Sequence, residues 1–174
     1  VYKGGLAALM LVDYATTNVG PYKEALFIPG VVEYPQARGY SIGKIYVTTM
    51  TSVINGIHNW AIPKELASIT FDMVDPHTER ITVREGDKPA CLEMVVNAGG
   101  WRFPITGAIM PNAVQHRDSQ SYVTRISAKG RAQFAQIMQV RTQGDAFPPL
   151  EHFSPLIALR VTDFSMVFPI PKVY

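Results

Sequence analysis

The sequence predicts a mainly β protein (α+β): an antiparallel, β-rich sheet, closed or doubled over itself, with few short helices. Short stretches of alternating apolar and polar residues recur along it, as in Ile45, Val47 and Thr49 set against Tyr46 and Thr48. Tight-turn chemistry separates them, most plainly Asp75-Pro76-His77-Thr78. Many short strands joined by glycine and proline turns bury their apolar faces by closing into a barrel or folding one sheet over another.

Taken in order, Leu6 to Val12 is apolar on both faces and short, which predicts a buried strand. Turn residues from Asp13 to Pro21 lead into a strand over Tyr22 to Ile28, where alternation puts Tyr22, Glu24 and Leu26 on one face. Pro29-Gly30 ends it, and Val31 to Arg38, with Pro35 inside, is expected to be a loop. A strand over Gly43 to Thr51 and a helical turn over Ser52 to Ile57 follow. Leu66 to Val74 and Arg80 to Arg84 form a hairpin across the Asp75 turn, and Ala90 to Val96 is a buried strand. Strands are also expected over Trp101 to Ile105, Tyr122 to Ser127 and Ile157 to Phe168, the last with a bend near Asp163. Lys129 to Arg141 fits both helical and strand spacing, and the β context favours strand. Phe147-Pro148-Pro149-Leu150 is a rigid connector. No internal repeat or second domain is visible, so residues 1–174 are expected to form a single domain.

Composition narrows the function classes. With 47% hydrophobic and 17% charged residues the chain is globular, and so little charge implies surface covered by partner subunits, that is, a homo-oligomer. The net charge of +2 is spread out rather than striped, which excludes a nucleic-acid binder. No apolar run is long enough to span a bilayer, which leaves membrane partners out. Cys91 is the only cysteine and, among Leu92, Met94, Val95 and Val96, reads as a core thiol; a cytoplasmic location is expected. Met50, Met73, Met94, Met110, Met138 and Met166 are expected to fill core gaps. His58, His77, His116 and His152 lack metal-ligand spacing, so no metal site is expected.

The chemistry concentrates at Asn55-Gly56-Ile57-His58-Asn59-Trp60-Ala61-Ile62-Pro63-Lys64-Glu65-Leu66-Ala67. Lys64 follows a proline and stands among Trp60, Ala61 and Ile62, so its amine leaves the backbone in apolar surroundings. Desolvation disfavours an ammonium, and a neutral amine condenses with ketones and aldehydes. On spacing alone the same residues also suit the start of a surface helix, with Pro63 in its first turn and Lys64 and Glu65 in solvent. His58, six residues before the lysine, is either a proton shuttle near neutrality or a hydrogen-bonded structural histidine. Arg102 and Arg125 are candidates for bidentate binding of a substrate carboxylate, or surface strand residues.

The run from Gly56 through Trp60-Ala61-Ile62-Pro63-Lys64 to Leu66-Ala67 resembles the lysine motif of the acetoacetate decarboxylase family, which reads Gly-Arg-Glu, two residues, then Gly-Phe-Pro-Lys-Lys. About forty residues upstream, as in the family, Gly20-Pro21-Tyr22-Lys23-Glu24 is similar to its Pro-Tyr-x-Glu segment. The stretch from Pro104 to Pro171, with Gln115, Arg125 and Gly130-Arg131, resembles its C-terminal strands less specifically. The chain starts at Val1, and family members are longer; the resemblance implies that the missing length, with an active-site arginine, falls mostly ahead of Val1.

The resemblance implies an acetoacetate decarboxylase-like fold with Lys64 as Schiff-base residue and Glu24 as its carboxylate. His58, Trp60, Arg102 and Arg125 would then surround a small keto acid. Decarboxylation of a β-keto acid through an imine on Lys64 needs no cofactor. Departures open alternatives: Ile57-His58 stands for Arg-Glu, Ala61 for a glycine, and Glu65 for a second lysine, a carboxylate where the family has a cation. The same imine would serve aldol addition or dehydration of a keto acid. A ligand-binding or assembly protein with an idle, charged Lys64 is the non-enzymatic alternative.

Overall fold

The computed structural model describes residues 1–107 and 112–174. Met110, one of the methionines expected in the core, lies outside the described residues. Contacts divide the chain into two compact units, the first made of Val1–Leu66, Gly107–Ser127 and Met166–Tyr174, the second of Ala67–Thr106 and Ala128–Ser165.

The first unit carries β1 (Ala8–Tyr14), β2 (Tyr22–Ile28), β3 (Gly30–Tyr34), β4 (Ala37–Ser41), β5 (Lys44–Val47), β6 (Lys64–Leu66), β11 (Ala113–Arg117), β12 (Gln120–Thr124) and β15 (Lys172–Val173), with helix α1 (Met50–Trp60) between β5 and β6. Its strands form two sheets, ordered β1-β2-β5-β6 and β15-β12-β11-β4-β3. Most pairs are antiparallel, as expected, but β5 pairs with β6 and β4 with β11 in parallel. A parallel neighbour cannot be reached by a tight turn, and α1 is the crossover that brings β6 beside β5. The second unit holds β7 (Ser68–Met73), β8 (Thr78–Arg84), β9 (Ala90–Ala98), β10 (Phe103–Thr106), β13 (Ser127–Thr142) and β14 (Leu159–Val167). They run in the order β10-β13-β9-β8-β7, with β14 paired to β13.

The β2 strand, the β7–β8 hairpin, the β9 run and the strand reading of Lys129 to Arg141 all match the sequence. So does the bend in β14, where Asp163 takes a left-handed φ of 50°. Four expectations are corrected. Leu6 to Val12 is not a buried strand: β1 starts at Ala8, Leu6 is exposed, and within the strand only Val12 is buried. The predicted loop over Val31 to Arg38 is the β3–β4 hairpin, because Pro35 stands at the turn instead of breaking a strand. A second hairpin, β11–β12, went unrecognised because its two-residue turn is Asp118-Ser119, at φ 51° and 64°, rather than the more telling Asn-Gly. Among the methionines, Met94 is in the core, whereas Met50, Met73 and Met138 are exposed and Met166 is partly so. Cys91 is buried, with its thiol 3.4 Å from the Val83 carbonyl.

Helix α1 is longer than the turn expected over Ser52 to Ile57. The Thr49 side chain caps it by accepting from the Ser52 backbone N–H, and Val53, Ile57 and Trp60 recur at the i, i+4, i+7 spacing of one helix face. That face meets the core of the first unit, in which Leu26, Ile42, Ile45, Val47, Val53 and Ile62 are buried against Met10, Tyr22, Ile57, Trp60 and Phe168. The helix ends in a left-handed cap: Ala61 N–H donates to the Gly56 and Ile57 carbonyls, and Ile62 N–H to that of Gly56. Ala61 adopts φ 55° to make this turn, a conformation that costs an L-residue with a Cβ ~1 kcal/mol and glycine almost nothing. This is the position at which the resembling family carries glycine. Replacement Ala61→Gly should therefore raise stability by up to ~1 kcal/mol in urea unfolding; a loss of stability would show that Ala61 is not strained.

Candidate active site

Strand alternation and register assemble the site. Val12 and Tyr14 on β1 lie opposite Glu24 and Tyr22 on β2, Glu24 lies opposite Val47 on β5, and Ile45 on β5 lies opposite Lys64 on β6. Glu24 and Lys64 thus flank the same strand, two strand spacings or ~9.5 Å apart across the sheet and staggered by two residues along β5. Both side chains are long enough to meet over β5. Lys64 Nζ lies 2.9 Å from Glu24 Oε2, in an ion pair whose residues are only 9% and 5% exposed.

An ammonium has three protons to donate. Here the partners are Glu24 Oε2, Ser52 Oγ at 3.0 Å and the Tyr22 hydroxyl at 3.4 Å, with the face of the Tyr22 ring 4.9 Å from Nζ. The second carboxylate oxygen of Glu24 accepts from the Tyr14 hydroxyl at 3.3 Å. Tyr14 and Tyr22 pack ring on ring, 4.8 Å between centroids. Burial, followed by the Glu24 charge, pushes the Tyr14 hydroxyl well above the usual phenol range, and the same two causes raise Tyr22, with Lys64 and Ser52 opposing. At neutral pH both phenols are protonated donors.

Gly56 makes room for the lysine. A Cβ there would stand 2.6 Å from Lys64 Cδ and 2.8 Å from Cε, so the aliphatic stem crosses α1 where the helix has no side chain. Lys64 belongs to a strand and faces inward, which corrects the surface-helix alternative. Glu65 alternates to the other face, where its carboxylate holds Lys44 at 2.7 and 2.8 Å. The residue that replaces the family's second lysine does not enter the site.

Of the residues expected from sequence, Lys64 and Glu24 come together. His58 is exposed on the last turn of α1 and is not among the groups around Nζ. Trp60 is half-buried, but its Nε1–H donates to the Pro169 carbonyl at 2.8 Å and its ring meets Phe168 edge-on, so it anchors the C-terminal segment. Arg125 is exposed in the first unit; Arg102 is exposed in the second. Sequence reasoning missed Ser52 and Tyr14 as site residues and gave Tyr22 no role. Alternation already placed Tyr22 on the Glu24 face, but the positions of Ser52 and Tyr14 depend on the crossover through α1 and on the β1–β2 register. Among the described residues, no three His, Cys, Asp or Glu side chains gather as a metal would require.

A β-rich fold with a lysine–carboxylate pair enclosed among hydroxyls defines a class of proteins that present an amine in a desolvated site. The sequence profile of acetoacetate decarboxylase (ADC) matches residues 1–148, and the chain belongs to that family. No curated protein matches it by sequence. Among solved structures, the acetoacetate decarboxylase of Legionella pneumophila subsp. pneumophila str. Philadelphia 1 is similar with a TM-score of 0.69 at 13% identity, over 97% of this chain and 73% of that one. A second acetoacetate decarboxylase gives 0.61 at 14%, over 97% and 74%. The enduracididine biosynthesis enzyme MppR, determined with HEPES buffer bound, gives 0.54 at 9%, over 89% and 64%. At these identities the likeness establishes the fold, and the expected acetoacetate decarboxylase-like, β-rich architecture holds.

The raised phenols give a pH signature. A tyrosine whose folded pKa exceeds the unfolded value of ~10 contributes stability that is intact below that value and is lost as the pH climbs through the folded pKa. Alkaline titration followed by tyrosinate absorbance should show Tyr14 and Tyr22 resisting ionisation until the protein unfolds, with Tyr14→Phe losing part of the resistant amplitude. Ionisation of every tyrosine in the folded protein near pH 10 would contradict this burial.

Proposed function

We propose that the protein is a Schiff-base-forming carboxy-lyase acting on a small β-keto acid. Lys64, as the neutral amine, attacks the ketone carbon, and loss of water from the carbinolamine leaves a protonated imine. Its nitrogen draws in the electrons of the carbon–carbon bond as carbon dioxide departs. The resulting enamine is protonated on carbon, and water hydrolyses the iminium to release the ketone and the amine. Glu24, 2.9 Å from Nζ, would keep the cationic nitrogen oriented and balanced in charge throughout. Family membership and the near-complete enclosure of a lysine amine among one carboxylate and two hydroxyls support this reading.

The carrying observation is the Lys64–Glu24 pair, and the decisive experiment is trapping. Acetoacetate followed by borohydride should leave a stable adduct on Lys64 alone, seen by peptide mass and absent from Lys64→Ala, with carbon dioxide released at a rate that Glu24→Gln lowers. Labelling spread over surface lysines, or none, would favour a binding or assembly protein instead. Aldol addition or dehydration of a keto acid is the second enzymatic reading. MppR has also been determined with pyruvate bound, at a TM-score of 0.50 and 8% identity over 88% of this chain and 64% of that one. An adduct formed with pyruvate, and no carbon dioxide from any β-keto acid, would select it.

Two further expectations belong to this proposal. The protein forms a homo-oligomer that covers exposed apolar side chains such as Phe134, Leu156 and Ile170; a monomer in light scattering at micromolar concentration would rule that out. It works in the cytoplasm, where the single thiol of Cys91 is kept reduced; recovery from an extracytoplasmic fraction would contradict this. Among the described residues no helix is long and apolar enough to cross a membrane.

A further inference from the structure

Resting on that reading, we infer that the Tyr22 hydroxyl is a catalytic relay that carries protons from Lys64 Nζ to the carbonyl oxygen of the substrate while the imine forms. An ammonium and a ketone become an iminium and water with no net gain or loss of protons. Two protons leave the nitrogen, and both depart on the former carbonyl oxygen as water. Direct transfer between two atoms bonded to the same carbon passes through a strained four-membered ring, and one hydroxyl bridging them widens the ring to six. The bridging group must accept from Nζ, hold a proton of its own to give, and lie where the ketone arrives.

Among the described residues that accept from Nζ, only Tyr22 meets all three requirements. The Glu24 carboxylate accepts but, when ionised, has no proton to give. Ser52 has one, but the residue is 1% exposed on the buried face of α1, closed to an arriving molecule. Tyr22 is half-buried, and Nζ donates directly to its hydroxyl at 3.4 Å, a loose contact of the kind that tightens when a substrate binds. Its ring is braced by Tyr14, the residue opposite it in the β1–β2 register. In a first pass an Nζ proton moves onto the Tyr22 oxygen as the phenol proton moves onto the ketone oxygen, and the freed lone pair closes on the carbonyl carbon. In a second pass another proton on that nitrogen takes the same route to the new hydroxyl, which departs as water and leaves the iminium. Each pass restores the phenol, so Tyr22 never has to ionise, in keeping with the burial and Glu24 charge that hold it protonated.

The test measures the rate of imine formation with acetoacetate by rapid quenching into borohydride, over a range of imidazole buffer concentrations. In the wild type the rate should not depend on imidazole, because the relay is internal. Tyr22→Phe keeps the ring and should slow the step on the order of a hundredfold. Its rate should then climb with imidazole, a small acid–base that substitutes for the missing hydroxyl and would do nothing for a merely displaced amine. An unchanged rate in Tyr22→Phe, or a slowed one that no concentration of imidazole speeds, would overturn the relay and leave the lyase reading standing. Imidazole dependence in Ser52→Ala instead of Tyr22→Phe would move the role to Ser52 and overturn it too. Absence of any imine in the wild type would overturn both readings. If Tyr22→Phe fails to fold, the wild type decides: slower imine formation in deuterium oxide supports the relay, and equal rates in the two solvents refute it.

Discussion

The first unit is arranged around an ion pair that hydrophobic burial by itself would not select. Lys64 and Glu24 meet at 2.9 Å within the apolar layer between the β1-β2-β5-β6 sheet and helix α1. Removing two charges from water costs several kcal/mol per ion, and their attraction offsets this only when the remaining hydrogen-bonding capacity is met. Here it is met on both sides, by Ser52 and Tyr22 at the amine and Tyr14 at the carboxylate. The absence of a Cβ at Gly56 opens the lane along which the lysine stem reaches them.

Strand geometry accounts for the most conspicuous departure from the family motif. A carboxylate next in sequence to a reactive amine looks adverse, since it would hold the amine in its charged form. Alternation on β6 sends the two side chains to opposite faces, and Glu65 spends its charge on Lys44. Such an exposed pair contributes little to stability, so position 65 was free to change sign without disturbing the chemistry proposed for position 64.

Much of this was legible in the sequence because it is local. Tyr22, Glu24 and Leu26 share a face by alternation alone, and Asp75-Pro76 marks its hairpin without tertiary information. The parts that were not legible depend on pairing between distant segments. Nothing near Ser52 announces that a helix will carry it over a lysine twelve positions on, because that requires β6 to return parallel to β5. Tyr14 reaches Glu24 only through the β1–β2 register. Trp60 and His58 misled for the converse reason: they are neighbours of Lys64 along the chain, but a left-handed residue at Ala61 turns the backbone between them and the lysine. Pro35 misled because its place in a hairpin turn rather than within a strand is fixed by the β3–β4 register.

If the pair is kept for its reactivity rather than for stability, the free energy of unfolding will say so. Lys64→Met alone leaves a buried, unbalanced carboxylate and should cost about 3–5 kcal/mol, as should Glu24→Gln alone through the stranded ammonium. The most direct measurement is urea unfolding of the combined Lys64→Met/Glu24→Gln protein, in which both charges are gone and the shapes are nearly kept. Stability equal to or above that of the wild type is the predicted result. A double variant as unstable as the worse single one would mean that the ion pair itself holds the fold together, and would contradict the account.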